Sequence, residues 1–264
     1  RMKIIVLVKQ VPNTTEVKLD PKTGNLIREG IESIINPDDR HALEAAAHLK
    51  ETVKAKVTVL SMGPPQAIDA VSEAMGMGAD EGILLTDRAF AGADTWATSS
   101  TLGKAIETIG PFDLVLCGRQ AIDGDTAQIG PQVADYLKVP QVTYVIGIEE
   151  IKEKSIVVKR RLEDGYERVE CDLPALLTVI GEMNTPRYPL VSRLIDACRE
   201  KAPIKTWNAA DIGVQIRDIG LEGSLTHVIK TFAPKLQRQT EMIQGDARTA
   251  VSALAGKLKE KKLI

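Results

Sequence analysis

Short, wholly apolar, β-branched runs alternate with helical stretches along the first half of this chain, and that rhythm restricts its fold more than any other feature. Residues 4–8, 57–61, 83–85 and 114–117 lack the polar alternation of a half-exposed strand, so each is expected to be covered on both faces, as in a parallel sheet. Between them, residues 38–50 put Ala42, Leu43, Ala46, Ala47 and Leu49 on one side of a helix. Residues 65–77 follow Gly63 and Pro64, and residues 95–109 follow Gly92-Ala93-Asp94, both good helix openings. The alternation predicts an α/β fold on a doubly wound parallel sheet with right-handed crossovers.

After Pro140 the pattern becomes strand-rich, with Asp164-Gly165 marking a hairpin turn and residues 174–180 forming another apolar strand. Two prolines, Pro186 and Pro189, precede a further helix. From about residue 205 the chain is polar and thinly apolar until a last helix, where Asp246 is a plausible N-cap and Ala247, Val251, Leu254 and Leu258 form a narrow stripe. Such a tail buries too little to offset its own ordering entropy. The expected organisation is therefore a domain over residues 2–204 and an arm over 205–264 that wraps a partner; an arm folded back on its own domain is the alternative.

With 264 residues, 44% of them hydrophobic and 27% charged, the chain can bury one substantial core. A net charge of −2 supplies no long-range field for nucleic acid, and no basic run is interleaved with aromatics. No window approaches the roughly 18 apolar residues of a membrane span. The opening residues run into a strand rather than a signal-peptide pattern, with Met2 as the expected natural start, so the expected location is cytoplasmic. Cys117, Cys171 and Cys198 lie far apart with no histidine at ligand spacing, which indicates buried thiols and neither a disulfide framework nor a zinc site.

Two loops follow predicted strands, where ligands collect in an open parallel sheet, and a third candidate segment opens the helix after Asn36. In the loop after residue 117, Gly118 and Gly124 allow close backbone approach, and a helix is expected to open near Thr126. Asp125, Thr126, Ala127 and Gln128 would then offer free N–H groups to an anion such as a diphosphate. An ordinary helix capped by Asp125 or Thr126 has the same spacing, and spacing alone does not choose. The loop before Thr95 is small and hydroxyl-rich, suited to a phosphate or ribityl chain or simply to a cap, while Asn36-Pro37-Asp38-Asp39 by itself favours plain capping. GxGxxG, GxxxxGK[ST], GxSxG and HExxH patterns are all missing, so a bound cofactor rather than side chains would have to supply any chemistry.

Across nearly its whole length the chain resembles the beta subunits of electron-transfer flavoproteins. The resemblance is carried, in order and spacing, by VLVKQVP, INPDD, VLSMGPP, MGMGADEGILL, GRQAIDGDTAQIGPQVADYL and the hairpin VKRRLEDGYERVECDLPALLT. It implies an adenine-nucleotide-binding α/β domain paired with an alpha subunit. By matched motif the nucleotide contacts fall at Leu7, Lys9, Asn36, Pro37, Asp38, Asp39 and Met62. They continue through Gly118, Arg119, Gln120, Ala121, Ile122 and Asp123, then Gly124, Asp125, Thr126, Ala127, Gln128 and Ile129.

The family has one branch whose beta subunit holds structural AMP and an electron-bifurcating branch whose beta subunit holds FAD and receives hydride from NADH. The resemblance favours FAD: IDGDTAQ replaces the bulkier, more acidic AMP-branch run, and GADTWATS, with Asp94, Thr95 and Thr98, is typical of the bifurcating branch. Its implied partners are the alpha subunit, ferredoxin, and an acyl-CoA or flavin-dependent 2-hydroxy-acid dehydrogenase. Residues 181–201 resemble the loop that docks on the dehydrogenase, with Tyr188, Leu190 and Val191 as apolar anchors or, alternatively, as the core face of a helix. The AMP-holding carrier and, more remotely, an ATP-binding sensor remain the competing functions.

Overall fold

A computed structural model describes residues 1–13, 32–230 and 240–264. Among these, residues 1–227 form one compact unit and residues 228–264 a second. The first unit is organised by a nine-stranded sheet. Its strands are β1 (Lys3–Val8), β4 (Lys56–Met62), β5 (Glu81–Leu85), β6 (Leu114–Gly118), β7 (Gln141–Ile151), β8 (Ser155–Arg161), β9 (Tyr166–Asp172), β10 (Ala175–Val179) and β11 (Ile204–Trp207). They lie in the order β11-β5-β4-β1-β6-β10-β7-β8-β9. Neighbours are parallel from β11 to β7, and β8 and β9 add an antiparallel meander. The short strands β2 (Gln10–Pro12) and β3 (Ser33–Ile35) pair separately.

The sheet is covered on both faces because its central strands are apolar at odd and even positions alike. Ile4, Val6, Val57 and Val59 pack with Ala42, Leu43 and Ala46 of α1 (Pro37–Val53) and Ala70 and Ala74 of α2 (Ile68–Met77). Ile5, Leu7, Leu60 and Val115 pack with Leu102, Ala105 and Ile106 of α3 (Thr95–Ile109) and Val133 and Ala134 of α4 (Ile129–Leu137). The doubly wound expectation is met. Strand order reverses direction at β1: the chain goes outward through β4 and β5, then returns to lay β6 on the other side of β1. The carboxyl ends of β1 and β6 thus flank the crevice where such sheets bind ligands.

Two expectations need correction. Residues 205–227 are not part of an arm: β11 pairs with β5 as the sheet's edge, and Ala209, Ile212 and Ile219 are buried in the core. Cys117 and Cys171 are buried, but Cys198 is exposed. In the second unit, Asp246 caps α6 (Ala247–Glu260) by accepting from Thr249 N, and no residue of that helix is buried. Part of the expected arm, residues 231–239, lies outside the described residues. No helix among the described residues is long and apolar enough to cross a membrane.

Candidate nucleotide site at the switch point

At the end of β6 the Asp39 carboxylate, on the first turn of α1, binds two strands at once. One oxygen accepts from Lys9 N at 2.9 Å, just past β1, and the other from Gly118 N at 2.9 Å, the last residue of β6. Burial pushes this carboxyl up to about 7, against the downward pull of those two N–H groups and of Asn36. Gly118 is required here, since a Cβ would stand 2.5 Å from Asp39 Oδ1 and 2.6 Å from Asp38 Cβ. Asn36, fully buried, does not cap its own helix; Nδ2 donates to Gln120 O at 2.9 Å and Oδ1 accepts from Ile122 N at 3.0 Å. The plain capping expected of this motif is therefore replaced by a cross-brace under the loop that follows β6.

That loop is longer than expected. Asp125 and Ala127 have φ of 52° and 54°, left-handed values that no α-helix accepts, so α4 opens at Ile129 with Gln128 as N-cap rather than near Thr126. The N–H groups of Gly124, Thr126, Ala127 and Gln128 have no hydrogen-bond partner among the described residues, whereas Asp125 N, expected to be free, donates to Ala121 O at 2.9 Å and closes the turn. Among the described residues, nothing lies within 4 Å of where a Gly124 Cβ would be. Lys9 Nζ meets Asp123 at 2.7 Å beside a cleft of about 240 Å³ that Met62 and Gly63 also line.

The second hydroxyl-rich loop joins this one. Thr95 Oγ1 donates to Gln128 Oε1 at 2.9 Å and receives from Gln132 Nε2 at 3.3 Å, while Gln132 Oε1 is buried without a partner among the described residues. Asp94 caps α3 through Ala97 N at 2.9 Å. Its other oxygen accepts from Thr226 N and Thr226 Oγ1, both at 2.9 Å. Burial pushes the Asp94 carboxyl up, but these bonds outweigh it and hold the group below its ordinary value.

The structure brings Lys9, Asn36–Asp39, Met62, Gly118–Ile129 and Asp94–Thr98 to one end of the sheet. Leu7, by contrast, turns its side chain into the core. The Asp39 and Asp94 carboxylates are taken up by protein donors. Arg119 Nε lies 3.7 Å from Asp38, and its guanidinium lies 5.6 Å from the ring centre of Tyr144. An array of unpaired N–H groups, an open Gly124 and an orphaned buried acceptor fit a phosphate-bearing nucleotide with sugar or ribityl hydroxyls.

Residues 23–212 match the family model described as Electron transfer flavoprotein domain. The chain belongs to the electron transfer flavoprotein family. It is similar to Electron transfer flavoprotein subunit beta of Thermoanaerobacterium thermosaccharolyticum, 52% identical over 263 residues and covering 100% of both chains. Caffeyl-CoA reductase-Etf complex subunit CarD of Acetobacterium woodii is 52% identical over 265 residues, again with 100% of both covered. Acryloyl-CoA reductase electron transfer subunit gamma of Anaerotignum propionicum is 41% identical over 269 residues at the same coverage. These full-length similarities put the chain with the beta subunits of the electron transfer flavoproteins.

In this electron transfer flavoprotein chain the apolar anchors of residues 181–201 face outward. Tyr188, Leu190 and Val191 are 90%, 59% and 70% exposed, which excludes a helix's core face. The segment is pinned from behind: Arg187 is bound by Glu44 and Glu51, and Arg193 donates to Met75 O and Ala79 O before and within α5 (Val191–Ala197). Sequence reasoning missed Gln132, although its position one turn after Gln128 puts both amides on one face of α4. It also missed Ser224 and Thr226, for which no local signal exists.

Proposed function

We propose that this chain is the nucleotide-holding beta subunit of a heterodimeric electron transfer flavoprotein, that its nucleotide is FAD, and that the assembly bifurcates electrons from NADH between ferredoxin and a dehydrogenase. The observation that carries the reading is the loop of residues 124–128, in which the N–H groups of Gly124, Thr126, Ala127 and Gln128 are unpaired among the described residues and Gly124 is open on its side-chain face. Such a loop suits a diphosphate, and Gln132 Oε1 suits a hydroxyl of the same ligand.

The residues of this chain bind and orient rather than react. Lys9 contributes a cation beside the cleft, the Asn36–Asp39 brace fixes the loop, and the Thr95–Gln128–Gln132 cluster completes its far side. A flavin held there would supply hydride acceptance and one-electron release. Two relatives are named for caffeyl-CoA and acryloyl-CoA reductases, which supports a CoA-thioester enzyme as dehydrogenase partner. The exposed Tyr188, Leu190 and Val191 suit that transient contact, and α6, with no buried residue, suits a permanent one with an alpha subunit. A cytoplasmic setting follows from this reading of the partners.

The test is acid extraction of the co-expressed heterodimer and chromatographic counting of its nucleotides. Two FAD per heterodimer are expected. One FAD with one AMP would make the chain the scaffold of a non-bifurcating carrier instead.

A further inference from the structure

We propose that Asp94 is a positioning residue rather than a nucleotide contact, and that the Asp94-Thr95 pair couples the nucleotide loop to residues 224–226, just before the chain leaves its main unit. The inference rests on the nucleotide reading above and adds a connection to it. Neighbouring residues bond to different segments: Thr95 Oγ1 donates to Gln128 Oε1 at 2.9 Å, while Asp94 Oδ2 receives both the N–H and the hydroxyl of Thr226 at 2.9 Å. Asp94 N in turn donates to Ser224 Oγ at 2.8 Å, and that buried hydroxyl donates to Gly220 O at 2.7 Å. With Oδ1 spent on the α3 cap, both carboxylate oxygens are already engaged.

The connection has little slack. Leu221 N donates to Ala91 O at 3.1 Å. Gly220 sits at φ 57°, and a Cβ there would stand 1.9 Å from Ala89 O. A shift of residues 89–95 therefore carries residues 220–226 with it, and the main unit ends at His227. A ligand that orders the Gln128 side of Thr95 tightens the Thr226 side of Asp94, because the two residues share one helix start.

The experiment uses the heterodimer stripped of nucleotide and titrated with FAD, comparing wild type with Asp94→Asn, Thr226→Val and the double variant. Thr226→Val keeps the backbone donor and removes only the hydroxyl, so it tests the latch without unfolding the segment. FAD affinity should fall by about tenfold in each single variant, and no further in the double. Direct contact predicts instead that Asp94→Asn weakens binding while Thr226→Val does not; that result, or additive losses, overturns the proposal. Hydrogen exchange gives an independent readout. FAD should slow exchange in the peptide containing Thr226, and Thr95→Val should abolish the slowing. If FAD binds wild type and that peptide does not respond, the coupling fails alone; if FAD does not bind wild type, the nucleotide reading fails with it.

Discussion

Gly118 and Asp39 are locked together at the centre of the site: Gly118 N donates to Asp39 Oδ1 at 2.9 Å, and the same oxygen occupies the space a Gly118 side chain would need. Gly118→Ala must push aside Asp38 and Asp39, which are backbone-anchored at the start of α1. Overpacking of this kind costs roughly 1–3 kcal/mol. Denaturant unfolding should register that loss, and the purified variant should carry less nucleotide.

Asp39 predicts a pH dependence. Its carboxyl binds a proton more tightly folded, at about 7, than in an unfolded chain with its ordinary 3.8. The folded state therefore holds the extra proton between those values, and the group's contribution to stability is full below about pH 4. It declines by up to ~1.4 kcal/mol per unit as pH rises and is lost above about pH 7. Unfolding free energies measured from pH 5 to 8 should show this component as the difference between wild type and Asp39→Asn. Parallel pH profiles for the two proteins would refute it.

Gly124→Asp reads the nucleotide loop without disturbing the fold, since the new Cβ meets nothing within 4 Å among the described residues. Thermal unfolding should change little. A carboxylate set beside a bound diphosphate should lower nucleotide affinity by roughly two decades. Unchanged nucleotide content would put the phosphates elsewhere.

Much of the fold was legible because its signals are local. The central strands declare themselves by unbroken apolar runs, and α3 is bounded by Asp94 at one end and Gly110 at the other. The opening of α4 was misjudged because left-handed Asp125 and Ala127 belong to a loop whose Ile122 N–H is held by Asn36, 86 residues away in sequence. Residues 205–227 looked too polar to fold, yet Ala209, Ile212 and Ile219 suffice once β5 offers an open edge. In the site, sequence found the right loops but not the division of labour. An aspartate at a helix start looks the same whether it caps that helix, as expected, or bridges to a strand end 79 residues away, as Asp39 does.

The unit boundary yields a further test. A chain ending at His227 retains β11 and the Asp94–Thr226 contact, so it should keep the circular dichroism of a folded α/β domain while losing affinity for an alpha subunit. Ending it at Leu225 removes Thr226 as well and should additionally weaken nucleotide retention. Aggregation of the His227 form, with the full chain stable, would make the tail part of the fold.

Val191→Glu addresses docking. The side chain is 70% exposed, and substitutions at such positions shift stability by no more than about 0.5 kcal/mol. The melting temperature should hold while electron transfer to the dehydrogenase slows. Unaltered transfer would move the docking surface away from α5.

The position of β10 in the sheet bears on how the protein is made. This strand, all five residues buried, lies between β6 and β7, yet the chain writes it after the whole β7–β9 meander. As the polypeptide emerges from the ribosome, β6 has no neighbour on its outer side, and the finished meander has no berth on the sheet until residues 175–179 arrive to join them. Two unpaired strand edges are open together during that interval, the circumstance in which nascent chains pair with one another. A chain stopped before residue 175 would therefore expose the β10-facing edges of both β6 and β7.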